Sequence, residues 1–193
     1  MAFSDLWRRW NPLAVWRRWR AAQVRHGFYQ SGLVKVVFDL AQGPFAIDEP
    51  PFGSESVWAA PLGEGRFEIR NSLFYVYGVS WRDVVEAEVV DDCLTAVAVA
   101  ERGGHSTYRV ILAEAVSHAT WEEEWAAFDG LGCSYEGAEG SLFAIDVPPT
   151  GDAQAVFRLL EEGENLGLWA FEEAHRGHPV SPTEARHVPP GPA

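Results

Sequence analysis

Lysine is nearly absent from this 193-residue chain: Lys35 stands alone against fourteen arginines. Cysteine is almost as scarce. Cys93 and Cys133 lie far apart and form no Cys-x-x-Cys, which removes dithiol redox chemistry and a thiolate zinc site from consideration. Two isolated thiols of a reducing compartment are the expectation, ahead of a single disulfide. No run approaches the ~20 apolar residues that cross a bilayer. Arg17, Arg18 and Arg20 interrupt the one region where a secretory signal could place its apolar centre. A cytoplasmic protein with no integral membrane segment is therefore expected.

Large apolar side chains are abundant. At 47% hydrophobic, with nine Trp and eleven Phe, the chain can bury one good core or two small ones. Acid dominates the charge, and its placement matters more than the total of −13. Residues 1–31 hold six Arg against Asp5, a local +5, so residues 32–193 carry −18. So acidic a body repels the phosphates that bind proteins through Lys and Arg, and no nucleic-acid partner is expected. It would attract a basic protein surface.

Composition divides the chain into a basic Trp/Arg-rich extension (1–31), a folded body, and a Pro-rich tail (179–193) expected to be disordered. The extension repeats WRRW at 7–10 and 16–19. Asn11-Pro12 breaks any helical stripe between the copies. Three readings stand: an over-extended gene start with Val24 or Val34 as the true start, an arm docking on its own acidic body, and a membrane- or partner-binding segment.

The body reads as α+β. Its first half, 32–106, is expected to form a small antiparallel sheet or barrel from strands at 34–40, 55–62, 66–71, 74–79, 83–90 and 94–101. Gly63-Glu64-Gly65 and Asp91-Asp92 mark its tight turns. In the second half, 107–178, the period changes. A strand at 108–114 precedes a helix with Thr120 and Glu123 as its capping box and Trp121, Trp125 and Phe128 as its apolar stripe. Gly130 and Gly132 end it. Strands 133–137 and 141–148, a helix capped by Asp152 and a strand at 168–174 complete a ferredoxin-like βαββαβ order. One continuous mixed sheet with a shared core is the alternative.

Residues 33–175 resemble the bacterial domain of unknown function numbered 4265, most specifically in GVSWRDVVEAE (78–88) and GGHSTYRV (103–110). The resemblance implies a small cytosolic bacterial protein and supplies no activity, substrate or cofactor.

The most chemically loaded stretch is ERGGHSTYR (101–109). Gly103 and Gly104 allow a sharp turn and close approach of a ligand. Gly104, His105, Thr107 and Arg109 together suit an anionic ligand, with Arg109 as the bidentate group. His105 and Ser106 are the catalytic candidates, a His-activated hydroxyl lacking an identifiable orienting group or oxyanion hole. The structural alternative is a turn whose hydroxyls satisfy their own backbone, with Arg109 paired to an acid on a neighbouring strand.

Glu172, His175 and His178 would share a face only on a helix, and the strand expected there separates them, so neither metal nor cofactor is expected. Glu122, Glu123, Glu124, Glu161, Glu162 and Glu164 load both helices with acid. Helices lying side by side would present a broad negative surface. The function expected is a non-enzymatic interaction module for a basic protein, with immunity against a basic toxin as one case. A small hydrolase or transferase using the GGHSTYR loop is the alternative.

Overall fold

A computed structural model describes residues 32–48, 50, 52–137 and 140–179. Both WRRW copies, and the tail beyond Pro179, lie outside the described residues. The described chain is mixed α+β, mostly strand with two α-helices.

Strands β1 (Val34–Asp39), β2 (Ser54–Gly63), β3 (Arg66–Ile69), β4 (Val84–Val90) and β5 (Cys93–Glu101) close into a barrel. Sequential neighbours pair antiparallel, and β1 closes on β5 in parallel at Val37–Thr95. The alternation visible in the sequence fills the barrel, with Val36, Phe38, Val57, Ala59, Ile69 and Val85 in one buried cluster. Two-residue turns join β2 to β3 and β4 to β5. Glu64-Gly65 (φ 54° and 73°) and Asp91-Asp92 (φ 48° and 62°) adopt the left-handed pair that matches strand twist.

The second half is β6 (Ser106–Leu112), α1 (His118–Asp129), β7 (Ser134–Gly137), β8 (Leu142–Val147), α2 (Ala153–Asn165) and β9 (Trp169–His175). Its four strands lie in the order β7-β8-β6-β9, every neighbouring pair antiparallel. Both helices cover one face, since Trp121, Phe128, Val156 and Leu160 share a cluster with Tyr108, Val110, Phe143 and Ile145. Every residue of β6 and β8 is buried, so the other face is covered as well. Part of that cover is Phe74, which packs on Ile111, Leu142 and Ala144. The halves are thus two separate sheets linked through the 70–83 segment, not one continuous mixed sheet.

Two expected features are corrected. The strand at 74–79 does not form; residues 70–83 run as bends and turns. The N–H groups of Phe74, Tyr75 and Val76 donate to the Glu55 carboxylate and not to a strand. The first helix is capped by Ser117, whose Oγ accepts from the Thr120 N–H at 3.1 Å, so Thr120 lies in the first turn and Glu123 closes no box. Asp152 caps α2 as expected, accepting from the Ala155 N–H at 2.9 Å.

A glycine within α2 is costly by propensity, yet Gly163 is required. A Cβ there would sit 1.8 Å from Trp169 Cζ2, in a ring fixed by its Nε1–H donating to the Leu160 carbonyl at 3.0 Å. Gly163→Ala is expected to lower stability by about 1–3 kcal/mol through overpacking, despite alanine's better helix propensity. Urea unfolding checks this; a gain in stability would show that the Trp169 ring is free to move.

Candidate functional site

The GGHSTYR segment runs from the last barrel strand into β6, and its polar groups point to different places because successive strand residues face opposite sides. Gly103 donates its N–H to Asp83 Oδ1 at 2.7 Å. Asp83 Oδ2 accepts from the Ser80 N–H at 3.0 Å and from Arg102 Nη1 at 2.8 Å. Gly104 has φ +79°, and the group closest to it is the Pro149 side chain, 3.3 Å from where a Cβ would stand. The glycine pair thus allows the chain itself to pack closely.

His105 and Ser106 do not meet each other. His105 Nδ1 lies 2.9 Å from Asp146 Oδ1 and its ring 5.7 Å from that of Trp81. Ser106 is wholly buried, and its Oγ is 2.7 Å from His178 Nδ1. His178 Nε2 lies 3.0 Å from the Pro148 carbonyl, which can only accept, so that nitrogen carries the proton and Nδ1 accepts from the serine hydroxyl. The same Oγ accepts the N–H groups of Gly177 and His178. Thr107, also buried, exchanges a 2.7 Å hydrogen bond with Ser80.

Arg109 is buried at the junction between the two units. Its Nη1 donates to Glu172 Oε1 at 2.9 Å, across the Arg109–Glu172 register of β6 and β9. Nη2 donates to the Val76 carbonyl, and the guanidinium lies 4.4 Å over the Tyr77 ring. Tyr77 in turn donates its hydroxyl to Glu172 Oε2 at 2.8 Å. Burial first, and then Glu172, pushes the Tyr77 hydroxyl up to about 12. This arrangement clamps the 74–80 segment to the sheet.

The counterpart on the barrel is Glu55, a buried carboxylate in phase with the inward residues Val57 and Ala59. Its oxygens accept from Phe74, Tyr75 and Val76 at 2.7, 2.9 and 3.0 Å. Burial raises its pKa, while these N–H groups and the charge of Arg109 oppose the rise. The sequence reading missed Glu55, although a carboxylate in phase with an apolar alternation is the signal that finds it. Asp83 and Asp146 were missed too, both buried, Asp83 held by Ser80, Arg102 and Gly103 and Asp146 by His105.

Glu172 is engaged with Arg109 and Tyr77, and His178 with Ser106 and Pro148, so the set Glu172, His175 and His178 does not converge. Among the described residues no group of three or more His, Cys, Asp and Glu could hold a metal ion. Among them too, no helix is long and apolar enough to cross a membrane. Burial raises the Cys133 thiol to about 12, far from the reactive range.

These features define a class of protein in which a five-stranded barrel and a helix-covered sheet are locked through a polar junction. The chain belongs to the family described as Domain of unknown function (DUF4265), whose model matches residues 55–171. The matched stretch begins at Glu55 and includes Arg109. A solved structure of a hypothetical protein from Neisseria gonorrhoeae is similar in fold, with a TM-score of 0.60 and 16% identity, over 78% of this chain and 99% of that one. No curated protein matches the chain.

Proposed function

We propose that this protein is a non-enzymatic, cytoplasmic binding module that docks a basic protein on its helical face. One observation carries the reading. Glu122, Glu123, Glu124 and Asp129 of α1, and Glu161, Glu162 and Glu164 of α2, are all exposed, and Arg158 is the one arginine or lysine on either helix. Since the helices share one face of the sheet, their fields add, which speeds encounter with a cationic surface and repels nucleic acid. A basic toxin held by an immunity protein is one such pair. The helix-bearing half itself reads as ferredoxin-like: strand–helix–strand–strand–helix–strand in chain order, with the order β7-β8-β6-β9 of a split βαβ sheet.

The engagement of the GGHSTYR side chains by other protein groups weighs against that loop as a catalytic or an anion-binding site and leaves the helical face as the better surface. A hydrolase or transferase reading has one observation in its favour, the 2.7 Å contact of Ser106 Oγ with His178 Nδ1. Against it, Ser106 is fully buried and its oxygen already accepts two backbone N–H groups.

The test is site-specific photo-crosslinking in the protein's own cells. A crosslinker at Glu123 or Glu161 should capture one discrete basic protein, and the same group at Glu88 on the barrel should not. Neutralising Glu123, Glu124, Glu161 and Glu162 to glutamine should remove the adduct without lowering the melting temperature, because exposed charges contribute little to stability. A hydrolytic activity abolished by Ser106→Ala in a protein that stays folded would overturn the binding reading.

A further inference from the structure

Strand β7 ends the second sheet. It pairs with β8 on one side, and among the described residues no strand pairs with its other side. Sheets commonly guard such edges with proline, lysine or bulges, or by keeping the strand very short. β7 is short at four residues, Ser-Tyr-Glu-Gly, but it holds no proline, lysine or bulge. Ser134 and Gly137 are exposed, and the Glu136 carboxylate accepts from the Ser72 N–H at 2.7 Å.

A particular stripe of α1 runs beside this edge. Glu122, Trp125 and Asp129 follow one another at steps of three and four, so they line one side of the helix. Tyr135 of β7 fixes that side against the strand. Its hydroxyl donates to Glu122 Oε1 at 2.6 Å, and its ring lies 4.5 Å from that of Trp125. At the other end of the stripe, the charge of Asp129 acts on Cys133, the residue before β7. An open row of backbone donors and acceptors is therefore bordered by two exposed carboxylates and a half-exposed tryptophan.

The geometry points to strand addition: a basic partner lays an extended segment along β7, with arginine or lysine at alternate positions reaching the Glu122–Trp125–Asp129 stripe. This rests on the helical-face reading above and adds how the partner is held. In an added strand, every second side chain faces the helices, so charges placed at alternate positions all meet the stripe. The backbone supplies affinity, Glu122 and Asp129 supply charge complementarity, and Trp125 offers its ring face to a guanidinium. Charge also decides against a second copy of this chain. Two β7 edges paired about a two-fold axis would bring both acidic stripes together on one side of the seam, within bodies that each carry −18 over residues 32–193.

The test uses the full chain and a ten-residue peptide alternating arginine with valine. Its control is the same peptide N-methylated along the backbone, equal in charge but unable to donate to a strand. The plain peptide should bind and slow amide exchange at residues 134–137, and the methylated one should bind at least about tenfold more weakly. Glu122→Gln with Asp129→Asn should weaken the plain peptide about three- to tenfold, with no change in melting temperature. Equal binding of the two peptides, or protection elsewhere than β7, would overturn strand addition and leave the helical-face reading standing. Failure of both peptides, with a partner still crosslinked at Glu123, would do the same. Failure of both peptides together with no crosslink would remove the underlying reading as well. Self-association by sedimentation that protects 134–137 without peptide would assign the edge to a second copy and overturn the proposal.

Discussion

Arg109→Ala is expected to cost about 3–5 kcal/mol of stability, the range for breaking a buried, hydrogen-bonded ion pair from one side. The reason is what the guanidinium leaves behind. Glu172 loses its guanidinium partner and retains the Tyr77 hydroxyl, and the buried Val76 carbonyl loses its donor. Tyr77 also loses the cation 4.4 Å from its ring. An exposed, ligand-gripping arginine would behave oppositely, contributing almost nothing to stability while its loss removed binding. Urea unfolding separates these outcomes. Arg109→Lys is the companion variant: it keeps the charge but cannot serve Glu172 and Val76 through one planar fork, so it should recover only part of the loss. The cycle with Glu172→Gln should show strong coupling, since removing both charges no longer strands one. A loss under about 1 kcal/mol for Arg109→Ala would show that the junction does not depend on this clamp.

How much of this was legible in the sequence follows from which interactions are local. The barrel strands and their turns were, because alternation and the Glu64-Gly65 and Asp91-Asp92 pairs are properties of neighbouring residues. The change of period after Leu112 was legible for the same reason, and so was the cap at Asp152. At the first helix two hydroxyl residues three apart, Ser117 and Thr120, could each begin a turn, and local pattern cannot choose between them. The segment 74–79 was misread for a deeper reason. Aromatic and β-branched residues there suit a strand, but what they record is burial between two packed units, with Phe74 set on the sheet and Val76 in the barrel cluster.

The site was less legible than the fold because its partners are distant in sequence. Arg109 meets Glu172 only because β6 and β9 become neighbours. His105 meets Asp146 and Ser106 meets His178 through the same sheet, which turns two adjacent residues away from each other. The short stretch of reactive residue types therefore showed that Arg109 could pair with an acid on a neighbouring strand, but not which acid, nor that His105 and Ser106 would take separate partners.

The Glu55 side chain should prove as important as Arg109, from the barrel side of the same junction. Glu55→Ala leaves the N–H groups of Phe74, Tyr75 and Val76 without their acceptor. A buried donor costs about 1–3 kcal/mol, and since Tyr75 is only part-buried and the costs are not additive, a total loss at the low end of the sum, about 3–5 kcal/mol, is expected. Amide exchange at residues 74–76 should accelerate before the rest of the barrel opens, because these groups are held by a side chain and not by a ladder. Glu55→Gln isolates the charge. Its amide can accept on one oxygen, but its NH2 then opposes one of the backbone donors, whereas a protonated carboxyl can turn its hydrogen aside. Burial holds the folded pKa of Glu55 above its unfolded value, so the folded state binds this proton more tightly. The stability linked to that proton is fully present below the ordinary carboxylate range and is lost as pH rises through the raised value. Wild type should therefore exceed Glu55→Gln in stability most at low pH, and the gap should narrow toward neutrality. Urea midpoints for both proteins at several pH values measure it directly. A gap that widens as pH rises would mean the three N–H groups and Arg109 outweigh burial, and that the junction holds its carboxylate charged by preference.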